Sequence, residues 1–159
     1  MMNYPNKATR TDDWLTPRWV LDPLGPFDLD PCASIKQPWK TAKTQWTIDD
    51  DGLSRHWGKY RRVWLNPPYG GAAKEWVQRL TLHGQGLLLW CPRTGTIAWQ
   101  EYIFPKASAL FFFKGRIRFC RPITGEQALA FNDSVLVSYG KEELPVMRRL
   151  PYPGKLITL

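Results

Sequence analysis

Short apolar runs alternate along the chain with amphipathic and turn-rich stretches, as expected when strands buried on both faces of a sheet are separated by helices. Phe27-Asp28-Leu29-Asp30 alternates as a strand should and stops at Pro31; Val63-Trp64-Leu65 and Gly86-Leu87-Leu88-Leu89-Trp90 read as continuous buried strands. Between those two, Ala73, Trp76, Val77 and Leu80 recur at helical spacing and predict an amphipathic helix ending near Gly84. Thr16-Pro17 predicts an N-cap followed by proline at the first helical position, opening a short helix to about Leu21. A further helix is predicted from about Thr96 to Phe104, stopped by Pro105. Later strands are predicted over Ala109 to Phe113, Arg116 to Phe119 and Ser134 to Tyr139, the last two pairing antiparallel. Residues 34–47 show no period and predict no element. Residues 1–11 are polar and read as a flexible tail, leaving 12–159 as one α/β domain without a separate target-recognition module.

Composition narrows the class. A chain of 159 residues that is 43% hydrophobic, with 9 Trp, can bury a sizeable core and is not disordered. No apolar run is long enough for a transmembrane span or secretory signal, which predicts a cytoplasmic protein. The net charge of +8 favours a polyanionic partner. Cys32, Cys91 and Cys120 are far apart and form no Cys-x-x-Cys pair, and only His56 and His83 could join them, so no metal site is expected.

The chemistry concentrates after Val63-Trp64-Leu65, at Asn66-Pro67-Pro68-Tyr69. An aromatic amino nitrogen is a poor nucleophile because its lone pair is delocalised into the ring. The Asn66 side-chain oxygen and the Pro67 carbonyl can each accept one amino hydrogen, localising that lone pair for attack on a sulfonium methyl. Adjacent prolines stiffen the loop and withhold donors. Tyr69 offers a flat face on which an unpaired base can stack. The bland alternative is a tight turn after a strand. Position favours chemistry, because the loop falls at the carboxyl end of a strand in a strand-loop-helix unit, where open α/β sheets bind ligands.

Five segments occur in one order: Asp13-Trp14-Leu15-Thr16-Pro17, Asp28-Leu29-Asp30-Pro31-Cys32-Ala33, Asp51-Gly52-Leu53, Asn66-Pro67-Pro68-Tyr69 and Gly115-Arg116-Ile117-Arg118-Phe119. In these the chain resembles the small phage-type DNA N-6-adenine methyltransferases, from about residue 12 to about residue 140. The resemblance implies a Rossmann-like S-adenosylmethionine-dependent methyltransferase fold, a mixed sheet flanked by helices. It also implies S-adenosyl-L-methionine as methyl donor, adenine in double-stranded DNA as acceptor, and a phage or prophage origin, with no obligate protein partner. Carried over by position, Asn66, Pro67, Pro68 and Tyr69 look like the catalytic loop. Asp30 looks like the acid that holds the methionine ammonium, with Pro31 beside it, and Thr16-Pro17 looks like the segment near the methionine carboxylate. The Gly-x-Gly turn of larger methyltransferases is absent after Asp30, where Pro31-Cys32-Ala33-Ser34 stands. Asp51 reads either as part of a solvated acidic turn or as the acceptor for the cofactor's adenine amino group.

Pro31-Cys32 is similar to the Pro-Cys nucleophile of enzymes that methylate carbon 5 of cytosine, but Ala33 follows it and no Glu-Asn-Val segment exists, which favours a structural cysteine. Lys114, Arg116 and Arg118 share one parity, placing cations on one strand face and Ile117 with Phe119 on the other; phosphate contact and a solvated edge both fit that face. Arg55, Lys59, Arg61 and Arg62 form a second basic cluster that reads as DNA contact or as surface loop. The alternatives to adenine methylation are protein-glutamine methylation, cytosine-N4 methylation and a non-enzymatic nucleic-acid-binding module.

Overall fold

The computed structural model of the chain describes residues 13–159, so the N-terminal tail proposed over 1–11 lies outside the described residues. Its strands are β1 Leu29–Asp30, β2 Thr44–Gln45, β3 Val63–Leu65, β4 Gly86–Trp90, β5 Ala109–Phe113, β6 Arg118–Cys120, β7 Gln127–Leu129, β8 Val135–Tyr139 and β9 Gly154–Thr158. Seven form a mixed sheet in the order β2-β1-β3-β4-β8-β5-β9, and β6 pairs with β7 as a separate hairpin. Strands β2, β1, β3 and β4 are parallel. β8 lies antiparallel between β4 and β5, and β9 closes the far edge antiparallel to β5.

Strand parity divides the core. Val63, Leu65, Leu88, Trp90, Val135, Val137 and Tyr139 pack on one face of the sheet, together with Trp76, Val77 and Leu80 of helix α2, which spans Ala73–His83. Trp64, Leu87, Leu89, Phe111 and Leu136 pack on the other, under Val20 and Leu21 of helix α1 (Arg18–Leu21) and Met147 of helix α3 (Leu144–Met147). Burial on both faces explains why β3 and β4 read as unbroken apolar runs. α2 ends where the periodicity placed its end, with Gly84 at φ 77° and its amide bonded to the Leu80 carbonyl.

The differences from expectation have physical causes. Pro17, rather than Thr16, occupies the N-cap position of α1, at φ −67° and ψ 151°, and Thr16 makes no cap hydrogen bond. The segment predicted as a helix over Thr96 to Phe104 is π-helical from Ala98 to Ile103, with the Phe104 amide bonded to the Trp99 carbonyl. Trp99 is fully buried there and its indole N–H donates to the Cys91 carbonyl at 2.8 Å. The strand expected over Arg116 to Phe119 begins at Arg118 and pairs with β7, while β8 pairs with β4 and β5.

Of the second basic cluster, Arg62 turns inward. It forms an ion pair at 2.7 Å with Glu143, itself 1% exposed, donates to the Leu24 and Pro26 carbonyls at 2.8 Å, and covers the Phe27 ring. Arg55 is held by Asp50 at 3.1 Å. Removing one partner of a buried pair leaves the other uncompensated, so Arg62→Ala should destabilise the fold by about 3–5 kcal/mol. Urea denaturation is the measurement. Arg62→Met with Glu143→Leu should recover part of that loss, because no stranded charge remains.

Candidate active site

Chain order reverses around β1: β2 lies on one side of it and β3 on the other, both parallel to it. The carboxyl ends of β1 and β3 therefore flank the crevice where open parallel sheets take ligands. Asp30 ends β1 and Asn66 follows β3, and the two turns touch through Cys32. Its thiol donates to the Asn66 carbonyl at 3.4 Å, and its amide donates to Asp30 Oδ1 at 3.1 Å. Asp30 Oδ2 accepts from the Thr41 hydroxyl. The carboxyl group is 4% exposed, and among the described residues no cation forms an ion pair with it. Burial raises its pKa to about 6, with the Thr41 and Cys32 hydrogen bonds opposing that rise. Burial and the adjacent Asp30 charge hold the Cys32 thiol well above the usual range, so it is a neutral donor rather than a thiolate nucleophile.

Asn66 is oriented by a residue far away in sequence. Its Nδ2 donates to Thr16 Oγ1 at 3.0 Å, which is the hydroxyl released from capping α1. Among the described residues neither Asn66 Oδ1 nor the Pro67 carbonyl accepts a hydrogen bond. The loop thus holds adjacent acceptors open, the Asn66 amide fixed by Thr16 and Pro67 buried. Tyr69 is 52% exposed and stacks one face on Trp90, with ring centroids 5.5 Å apart and an interplanar angle of 23°. Trp90, at the carboxyl end of β4, is buried, and its indole N–H has no partner among the described residues. The sequence reading took Trp90 as the end of a buried strand, which it is; its support of Tyr69 was signalled only by its position at a strand end beside the Asn66 loop.

Thr16 belongs to a strap across three loops. Asp13 accepts from the Ser34 hydroxyl at 2.6 Å, Leu15 exchanges backbone hydrogen bonds of 2.8 and 3.0 Å with Cys120 of β6, and Thr16 receives Asn66. Pro17, buried, carries the strap into α1. The sequence marked this segment without revealing that it clamps the Asn66 loop.

Asp51 lies beside the Asp30 turn, because a Cβ on the next residue, Gly52, would sit 2.0 Å from the Pro31 carbonyl. Thr47 and Asp50 form a reciprocal cap on the turn Ile48–Asp50, and Asp51 follows at φ 51° with its carboxylate accepting from Ser54 at 2.7 Å. The acidic run therefore builds a capped turn, and Gly52 after it packs against the Pro31 carbonyl. Lys114, Arg116 and Arg118 are exposed, whereas Ile117 and Phe119 are buried, so the two-sided pattern holds. These cations are not in the crevice; their hairpin reaches it through the pairing of Cys120 with Leu15.

Among the described residues no helix is long and apolar enough to cross a membrane, and no three His, Cys, Asp or Glu side chains cluster as metal ligands. Residues 5–145 match the family model described as DNA N-6-adenine-methyltransferase (Dam). The chain is also 32% identical over 105 residues to a DNA N-6-adenine-methyltransferase of Escherichia phage T1, a match covering 58% of this chain and 43% of that protein. The chain thus aligns with less than half the length of that relative. No solved structure matches.

The buried carboxyl group makes stability depend on pH. In the folded protein Asp30 keeps its proton up to about pH 6, against a reference value of 3.8, so its contribution is full below the lower value and is lost as pH rises through the upper one. Asp30→Asn removes the charge, can still accept from the Cys32 amide, and can donate to the Thr41 hydroxyl instead of accepting from it. Denaturant midpoints of both proteins between about pH 4 and pH 7 should show the variant gaining on the wild type as pH rises.

Proposed function

The chain belongs to the DNA N-6-adenine-methyltransferase family, and from that premise we propose that it transfers the methyl group of S-adenosyl-L-methionine to N6 of adenine in double-stranded DNA. The observation that carries this reading is the pair of open acceptors, Asn66 Oδ1 and the Pro67 carbonyl, at the end of β3 beside the Asp30 turn. A parallel β2-β1-β3-β4 core with its reversal at β1, and β8 antiparallel between β4 and β5, supports a Rossmann-like methyltransferase fold as part of the same reading.

The crevice suits a cationic methyl donor. Asp30 is a buried carboxylate with no cationic partner among the described residues, so an ammonium group placed beside it would lower the cost of ionising it. Asp30 and the Pro31 turn would hold the methionine end, Thr16-Pro17 lies close through Asn66, and Asp51 would face the adenosine. When bound, the sulfonium supplies an electrophilic methyl group with a good leaving group.

The chain's own residues act on the adenine. The base leaves the duplex and stacks on the Tyr69 face opposite Trp90. Asn66 Oδ1 and the Pro67 carbonyl accept the amino hydrogens and turn the nitrogen lone pair toward the methyl carbon. Pro68 extends the stiff loop that holds this geometry. As N6 bonds to the methyl carbon, the sulfur–methyl bond would break with its electron pair staying on sulfur as a neutral thioether, and the extra amino proton leaves to solvent. Cys32 takes no covalent part, because its proton is committed to the Asn66 carbonyl. Each good base contact supplies about 1–3 kcal/mol of discrimination and the loops around this crevice can supply only a few, so a short or degenerate recognition site is part of this reading. Such an enzyme works in the cytoplasm of a bacterial host, where its DNA lies.

The direct test incubates purified protein with labelled S-adenosyl-L-methionine and unmethylated DNA, followed by digestion to nucleosides. Label in N6-methyladenine supports the reading. Label confined to N4-methylcytosine or to protein glutamine would replace the acceptor, and DNA binding without transfer would leave a binding module. In the same assay Asn66→Ala should lose turnover by about 10²-fold or more, with cofactor affinity near normal by calorimetry, while Cys32→Ala keeps substantial activity.

Lys114, Arg116 and Arg118 are proposed phosphate contacts on the hairpin beside the crevice. Replacing both arginines with Ala should weaken binding about equally across DNA sequences and flatten its salt dependence, read from fluorescence titrations at several salt concentrations. An unchanged slope would return them to a solvated face.

A further inference from the structure

The hairpin between β5 and β8 carries more than cations. Both of its roots lie at the carboxyl end of the parallel core, since β5 runs in the direction of β4 and Val135 pairs with Trp90, the ring beneath Tyr69. Its register sets Arg118 opposite Leu129 and Phe119 opposite Ala128, and the Ala130 amide bonds to the Ile117 carbonyl. One face, with Ile117 and Phe119, is therefore buried against the body. The other carries Arg118 and Leu129, with Arg116 and Phe131 at its base, where the Arg116 guanidinium donates to the Ala130 carbonyl at 3.4 Å. Phe131 is 98% exposed, Leu129 is 47% exposed, and Ile123 in the connecting turn is 74% exposed.

Single exposed apolar residues are ordinary; several on one small hairpin, interleaved with arginines, call for an occupant. A second copy of the chain docked symmetrically through this face would bring its own Arg116 and Arg118 against their equivalents. A polyanion with apolar base faces has the complementary chemistry. Phe131 lies four residues before Val135, within about 13 Å of extended chain from the strand pair that supports Tyr69. We propose that this outer face docks on duplex DNA, with the arginines on the backbone and Phe131 packed into the base stack next to the extruded adenine. The partner's identity rests on the methyltransferase reading; the surface rests on the register and exposures.

Phe131→Ala tests it, because a side chain this exposed can be removed without disturbing the core. Titration of a fluorescent mixed-sequence duplex should show binding about ten-fold weaker, with Phe131→Trp close to wild type. Ligation of nicked plasmid in the presence of protein should show unwinding by the wild type that the Ala variant lacks. Unchanged duplex affinity would overturn the proposal. A shift in sedimentation with DNA binding intact would overturn it in favour of self-association. If the wild type binds and unwinds DNA through Phe131 yet transfers no methyl group, the surface stands and the methyltransferase reading falls.

Discussion

A hydrogen bond between side chains fifty residues apart, Asn66 Nδ2 to Thr16 Oγ1 at 3.0 Å, is the constraint on which the organisation of this site turns. A side-chain amide following a strand can rotate, and an amide free to rotate presents donor or acceptor with similar ease. Thr16 takes the donor end, which leaves Oδ1 without a partner among the described residues, as the Pro67 carbonyl is. Thr16 is itself fixed on both sides, by the pairing of Leu15 with Cys120 and by entry of the chain into α1. The Asn66 loop, the cationic hairpin and the Asp30 turn thus share one strap, and displacement of any of them is felt by the others.

Much of this was legible in the sequence where local chemistry and burial agreed. β3, β4, β5 and β8 are buried on both faces and had to appear as apolar runs, and α2 had to carry its stripe because one side faces the core. The Asn66 loop was readable because it combines an amide with adjacent prolines at a strand end. Elements made by pairing rather than by burial left no such trace. β2 consists of the half-buried polar residues Thr44 and Gln45, and β9 is an edge strand with mostly exposed positions. Their backbones are ordered by neighbours that periodicity cannot identify.

The strap shows a different limit. Thr16-Pro17 is a sound helix-start signal, and a helix does begin there, but one residue later than the capping rule places it. The hydroxyl then meets a stronger demand from Asn66, a competition that no local window contains. Cys32 is similar. The motif comparison raised a nucleophile and set it aside on neighbouring residues, whereas the fold gives the thiol a task, joining the β1 turn to the β3 loop by donating to the Asn66 carbonyl.

The two halves of the crevice are incomplete in complementary ways. On the β1 side a buried carboxylate has hydrogen bonds but no cation among the described residues, and burial works against its charge. On the β3 side adjacent acceptors have no donor among the described residues. The first costs stability in the unliganded protein through desolvation; Asn66 Oδ1 is not among the buried unpartnered atoms and stands open to a ligand or to water. A cation beside Asp30 would relieve that cost, and a donor beside Asn66 would meet the open acceptors. Because Cys32 bridges the two turns, groups that met Asp30 and Asn66 would be held at neighbouring positions. A buried carboxyl group and an open pair of acceptors set side by side are what the proposed transfer between two bound molecules would use.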